Sequence, residues 1–295
     1  YAGAGLVSTT TIVTRWFHQK RAVALSVAST GLSAGGIIIT PFVKRFIDED
    51  GLAATTPWLG LLFVIGVVPI TWFLVKPDPI AAGWSPDGAR RTVGQAIDAL
   101  PGVSFEEAVQ TRFYKAITIG YVLSLGSQVG GIQQLVKLVE GRTDPSTARF
   151  AVMALAATSV IARLIGGRAV QVIEMAKLTV VLAAMQCVAL IALAFATSTP
   201  LIFMSIILFG LTIGNLLMLQ PLLLAERFGV ADYPKIYSRS QFIGIFGLAG
   251  GPLLLGWLYD VSGSYRLPYS VAGGLCVIGV AFLAAAGPAT VADDE

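Results

Sequence analysis

Long runs without a charged residue dominate this chain, at 22–43, 57–75, 116–136, 178–198, 200–225, 240–259 and 267–287. A helix needs about 20 mostly apolar residues to cross a bilayer. Within the bilayer every backbone N–H and C=O has to be satisfied, which leaves helices and closed barrels. The alternating, polar-in pattern of barrel strands is absent, so the runs predict an all-α membrane protein. Composition agrees: 55% of residues are hydrophobic and 13% charged, against about 25% charged in soluble domains.

The uncharged stretch from Leu178 to Ala225 is too long for one span. TSTP at 197–200 divides it, because Pro200 suits a first helical turn and the polar residues before it suit a cap. The 147–167 run joins the set if Arg163 is tolerated, and 1–14 reads as a helix cut short. Eight complete transmembrane helices and one partial helix are therefore expected. The chain starts inside an apolar segment, with no Met, no basic n-region and no small-residue cleavage site. That pattern suggests a piece whose true N-terminus is missing, without a signal peptide at its start. The polar segment 76–112 reads as a linker, with a short amphipathic helix in 91–100. Cys187 and Cys276 fall in apolar runs and read as buried free thiols.

The net charge of +3 carries its information in its distribution, not as a sign of nucleic-acid binding. Fourteen of the twenty basic residues lie in the loops 15–21, 76–115, 163–177 and 226–239, and six in the alternate loops. The positive-inside rule assigns the basic-rich set, the linker and the 289–295 tail to the cytoplasm. A bacterial inner membrane is the expected location.

AGGIIITPFVKRF (34–46) and AGGPLLLGWLYD (249–260) match in parallel, and RWF (15–17) pairs with ERF (226–228). A parallel repeat of this kind builds two-lobed carriers. Residues 1–76 would be the last three helices of a first lobe, 77–111 the central cytoplasmic linker, and 112–288 a complete six-helix second lobe. About three helices would then be missing at the front.

These features resemble the major facilitator superfamily, and more narrowly its monocarboxylate transporter and oxalate/formate antiporter branch. The carrying segments are RWFHQKRAVALSVASTGLSAGG (15–36), AGWSPDG (82–88) and AGGPLLLGWLYDVSGSY (249–265). The resemblance implies a two-lobed helical bundle that carries a small organic anion by alternating access. It also matches Arg163 to the branch's substrate arginine on the eighth helix. Two departures stand out: Ser159 occupies the position of an Asp four residues before that arginine, and Gln171 that of an Asp in the loop GGRAVQVIEMAK.

Only thirteen uncharged residues separate Arg149 from Arg163, too few for a span, so Arg163 lies within one. Either its long stem snorkels toward the cytoplasm, or a fixed cation faces a cavity and pairs with a carboxylate. Tyr121, Ser124 and Gln128 share one helix face, which either lines a cavity or packs on a neighbour. Thr212 and Asn215 form a shorter stripe. Arg239, at the start of the eleventh helix, is a second candidate cation or a snorkelling one. The expected substrate set is thus Arg163, Tyr121, Gln128, Asn215 and Arg239, in a monomer embedded in lipid that uses a coupling proton or counter-anion. His18 reads as a solvated loop residue. No catalytic motif, metal set or cofactor loop is visible, so no enzyme, metal or cofactor is expected. An exporter of hydrophobic or zwitterionic compounds, and a transport-inactive sensor or scaffold, are the alternatives.

Overall fold

A computed structural model describes residues 5–17, 20–76, 79, 82–85, 87 and 102–289. The chain divides into two compact units, Tyr1–Asp98 and Ala99–Glu295. All regular elements among the described residues are helical.

The first unit contains α1 (Leu6–Trp16), α2 (Arg21–Asp50) and α3 (Leu52–Pro69). A wider π turn, Ile70–Leu74, continues α3 just after Pro69, whose ring cannot donate into an ordinary helical ladder. Trp16 Nε1 donates to the Lys76 carbonyl at 2.7 Å and ties the end of α1 to the end of that turn. Helix α2 runs through most of the expected loop at 44–56. Arg45 and Glu49 pair one turn apart at 2.8 Å, and only Gly51, at φ +81°, stops the helix.

The second unit holds α4 (Phe105–Gln110), α5 (Arg112–Glu140), α6 (Pro145–Ala169), α7 (Met175–Phe195), α8 (Thr199–Phe228), α9 (Tyr233–Ser262) and α10 (Arg266–Ala286). The helix expected in 91–100 lies outside the described residues. A short helix forms at α4, where Ser104 and Glu107 make a reciprocal capping box. Asp144 caps α6 through the N–H groups of Ser146 and Thr147, ahead of Pro145. The α7–α8 break falls at the expected TSTP, with Pro200 in the first turn of α8. Ser198 makes no side-chain cap bond, so the proline and not a polar cap defines that start.

Six helices are long and apolar enough to cross a membrane among the described residues: Leu52–Phe73, α6, α7, α8, α9 and α10. Inside the second unit, α5 packs on α9 and α10, α7 on α8 and α10, and α6 on α8. The α5–α9 seam is close enough for backbones to touch. A Cβ on Gly126 would stand 2.9 Å from the Gly247 carbonyl, and one on Gly251 would overlap the Gly126 carbonyl. This is the close approach that small residues permit between membrane helices. Leu138, Leu190, Leu193, Ile202 and Phe209 fill the core at one end of the unit, where Tyr269 donates to the Gly131 carbonyl at 2.7 Å.

Candidate functional site

Among the described residues, the α6–α8 seam carries the one deeply placed cation. Arg163 lies roughly 27 Å of helix rise beyond Pro145 and about 9 Å before Ala169. Its side chain is 2% exposed, and Nε donates to the Gly214 carbonyl at 3.3 Å. The head group is therefore inside the protein. Gly214 supplies the room: a Cβ there would stand 2.6 Å from the Ser159 carbonyl and 3.0 Å from both Cβ and Nε of Arg163. The adjacent Asn215 donates Nδ2 to Leu211 at 3.1 Å, while its buried Oδ1 accepts nothing. Gly166 of α6 faces that amide so closely that a Cβ would overlap it. Two of the expected residues, Arg163 and Asn215, thus meet in one seam.

A second polar group joins α5, α7 and α10. Gln128 Nε2 donates to Gln186 Oε1 at 2.7 Å, and Gln186 Nε2 donates to the Ser124 carbonyl at 2.8 Å. Gln128 therefore uses its amide to join helices, the packing alternative for this stripe. Tyr121, about two turns before Gln128, is 1% exposed and lies beside Thr179 of α7. Thr179 does not complete a bond of good geometry to it. Thr179 Oγ1 is turned to the Met175 carbonyl, and the Tyr121 hydroxyl has no hydrogen-bond partner. Cys187 and Cys276 are free buried thiols directed at the same Ala183 carbonyl, at 3.2 and 3.5 Å.

Gln186 was missing from the sequence expectations. It is a single amide in α7, with no second polar residue one turn away to signal a face; Thr179 stands two turns before it. Ser240 was missing too, one hydroxyl within the polar stretch YSRSQ (237–241); it meets Thr118 Oγ1 and Gln220 Nε2 at 3.0 Å each and so links α5, α8 and α9.

Arg239 stands apart from both groups. It is exposed, with Cζ 5.7 Å from the centre of the Phe105 ring of α4. The Phe105 N–H donates to Asp232 Oδ2 at 3.0 Å, and the Val103 N–H to the Phe228 carbonyl at 2.9 Å. Together these dock α4 on the α8–α9 loop. The Lys235 ammonium, 2.8 Å away, and the Phe105 N–H hold the Asp232 carboxyl below the usual carboxylate range.

The buried set contains a cation, a phenol and several amides. Among the described residues no three His, Cys, Asp or Glu side chains come together; His18 lies outside those residues. Among the described residues, the Asp and Glu side chains of the second unit fall in loops or near helix ends. Such an arrangement can hold a solute only through charge and hydrogen bonding.

No family model matches the chain. In sequence it is similar to "MFS transporter asaE" of Aspergillus flavus, 25% identical over 279 residues, covering 92% of this chain and 59% of that protein. An "MFS-type transporter" of Gibberella moniliformis is 24% identical over 282 residues, covering 90% of this chain and 61% of the relative. The chain thus spans about three fifths of the length of these curated fungal relatives. They are transporters, not enzymes. Among solved structures, the fucose:proton symporter FucP of E. coli in its outward conformation superposes with a TM-score of 0.68 at 14% identity. That match covers 95% of this chain and 71% of FucP. The human organic anion transporter MFSD10 (TETRAN) superposes with a TM-score of 0.69 at 15% identity, covering 93% of this chain and 66% of the other. At these identities the structural likeness is one of fold: an all-helical major facilitator architecture.

Proposed function

We propose that this integral membrane protein, with the major facilitator fold and MFS transporters as its relatives, is a secondary carrier of a small organic anion. The carrying observation is Arg163: a guanidinium 2% exposed, inside a spanning helix. A buried arginine in a membrane helix is costly and persists where it has work to do. A carboxylate of the solute is the matching charge, and the planar guanidinium suits it. The open acceptor Oδ1 of Asn215 and the unpartnered Tyr121 hydroxyl are groups available for the solute's remaining polar atoms.

The proposal extends to topology. Helices α2 and α5 join the six apolar spans to make eight crossings, α1 is part of a ninth, and the first unit belongs to an N-terminal lobe. Alternating access through such a bundle exposes the solute to each side in turn.

Uptake of labelled monocarboxylates and dicarboxylates by vesicles bearing the protein tests the assignment. Arg163→Ala is expected to lower uptake at least tenfold, an order set by the loss of one charge-assisted pair. Arg163→Lys is expected to keep a measurable part of it. Unchanged uptake of every carboxylate in both variants would remove Arg163 from the site.

A further inference from the structure

Three cations meet around a cavity at the opposite end of the second unit from α4. The cavity holds about 380 Å³ between the C-terminal ends of α5, α7 and α9 and the start of α10. Lys137, Arg142 and Arg266 line it together with Tyr259 and Tyr265. These three are half of the six basic residues found in the basic-poor loops. Of the four that fall in the second unit, three converge on one hollow.

Capping the helix ends accounts for Arg142 alone. Its guanidinium donates to the carbonyls of Leu193, Ala194 and Ala196 at 2.6, 2.9 and 2.7 Å, closing the end of α7. Burial pushes that guanidinium down, Tyr269 opposes this, and the like charge of Arg266 adds to it. Lys137 and Arg266 are exposed, and no carboxylate lines the hollow with them. The nearby acids stand outside the lining: Asp144 caps α6, Asp260 acts on the Tyr265 hydroxyl, and the exposed Glu140 ends α5 beside Gly141.

The surroundings suit one kind of anion. Tyr259 and Tyr265 stack at 4.3 Å between ring centres on the wall, and tyrosines favour the level where a membrane meets water. Phe195, Trp257 and Val261, next in sequence to these ends, are 58%, 61% and 68% exposed. A basic hollow at the ends of spanning helices, bordered by bare apolar side chains, fits a charged head with a hydrocarbon tail.

We infer that this cavity binds a phosphate group, that of an anionic phospholipid headgroup, between Lys137 and Arg266, with Arg142 as the fixed floor. The site is independent of Arg163 and of the carried solute.

Native mass spectrometry and thermal unfolding of the purified protein test it, using phosphatidylglycerol, phosphatidylcholine and inorganic phosphate as separate probes. The comparison variant is Lys137→Gln/Arg266→Gln, with Lys115→Gln/Lys177→Gln as a charge-matched control away from the cavity. Phosphatidylglycerol is expected to bind and raise the melting temperature more than phosphatidylcholine. Its affinity should fall about tenfold or more in the first double variant and stay unchanged in the control, given the attraction of each basic residue for an anionic surface. A response to inorganic phosphate that vanishes in the first double variant supports the phosphate site and assigns it a soluble ligand. Equal binding of every probe by the wild type and the Lys137→Gln/Arg266→Gln protein would overturn the inference. Unfolding without lipid separates loss of the site from loss of the fold.

Discussion

Gly214 and Arg163 share one space: the glycine of α8 leaves out the side chain that the arginine of α6 lies across, with Nε 3.3 Å from the Gly214 carbonyl. Gly214→Ala would place a Cβ 2.6 Å from the Ser159 carbonyl and force the seam apart. Overpacking of this kind costs about 1–3 kcal/mol. The variant is expected to melt at a lower temperature and to lose uptake together with stability, because the displaced atom is on Arg163. Full uptake in a variant of normal stability would show that Arg163 has room to move.

Tyr121→Phe separates packing from binding. The hydroxyl is buried without a hydrogen-bond partner, and an unsatisfied buried polar group is a cost to the fold. Its removal is expected to leave the melting temperature unchanged or raised while uptake falls several-fold. A drop in melting temperature with normal uptake would make the hydroxyl structural.

Gln128 and Gln186 form a buried amide pair at 2.7 Å. Gln186→Leu strands the Gln128 amide and is expected to cost about 1–3 kcal/mol. The double Gln128→Leu/Gln186→Leu variant should cost less than the sum of the singles, since no stranded amide remains. Additive costs in a double-mutant cycle would contradict the pairing.

The docking of α4 is expected to depend on pH through Asp232. Its folded-state carboxyl is held low by Lys235 and the Phe105 N–H. A depressed folded value means the contribution is present above the ordinary value of about 3.9 and is lost as pH falls through the lower folded value. Hydrogen-exchange protection across 103–110 should therefore weaken in acid. Asp232→Asn should show the weakened protection already at neutral pH, and equal protection in the two proteins would refute the link.

Helix positions and fold class were legible because spanning depends on a local property, the length of an uncharged run. Pro200 marks a break in the same local way. Placing Arg163 inside a span needed only the distance from Arg149. What each side chain touches is another matter, since that depends on which helix lies opposite and at what height. Gln128 and Tyr121 share a helix face in sequence, yet one amide is consumed by Gln186 and the hydroxyl is left open. Gln186 gave no signal, because one amide in an apolar helix has no periodicity. Lys137, Arg142 and Arg266 are scattered over about 130 residues, and the convergence of three chain ends is what makes them a site. The sequence by itself determined the all-helical class and that one charge falls inside an apolar helix, because hydropathy and breakers act along the chain. Only the tertiary structure decided the partners of that charge, because contact across a seam such as Gly214–Arg163 is set by how two helices approach.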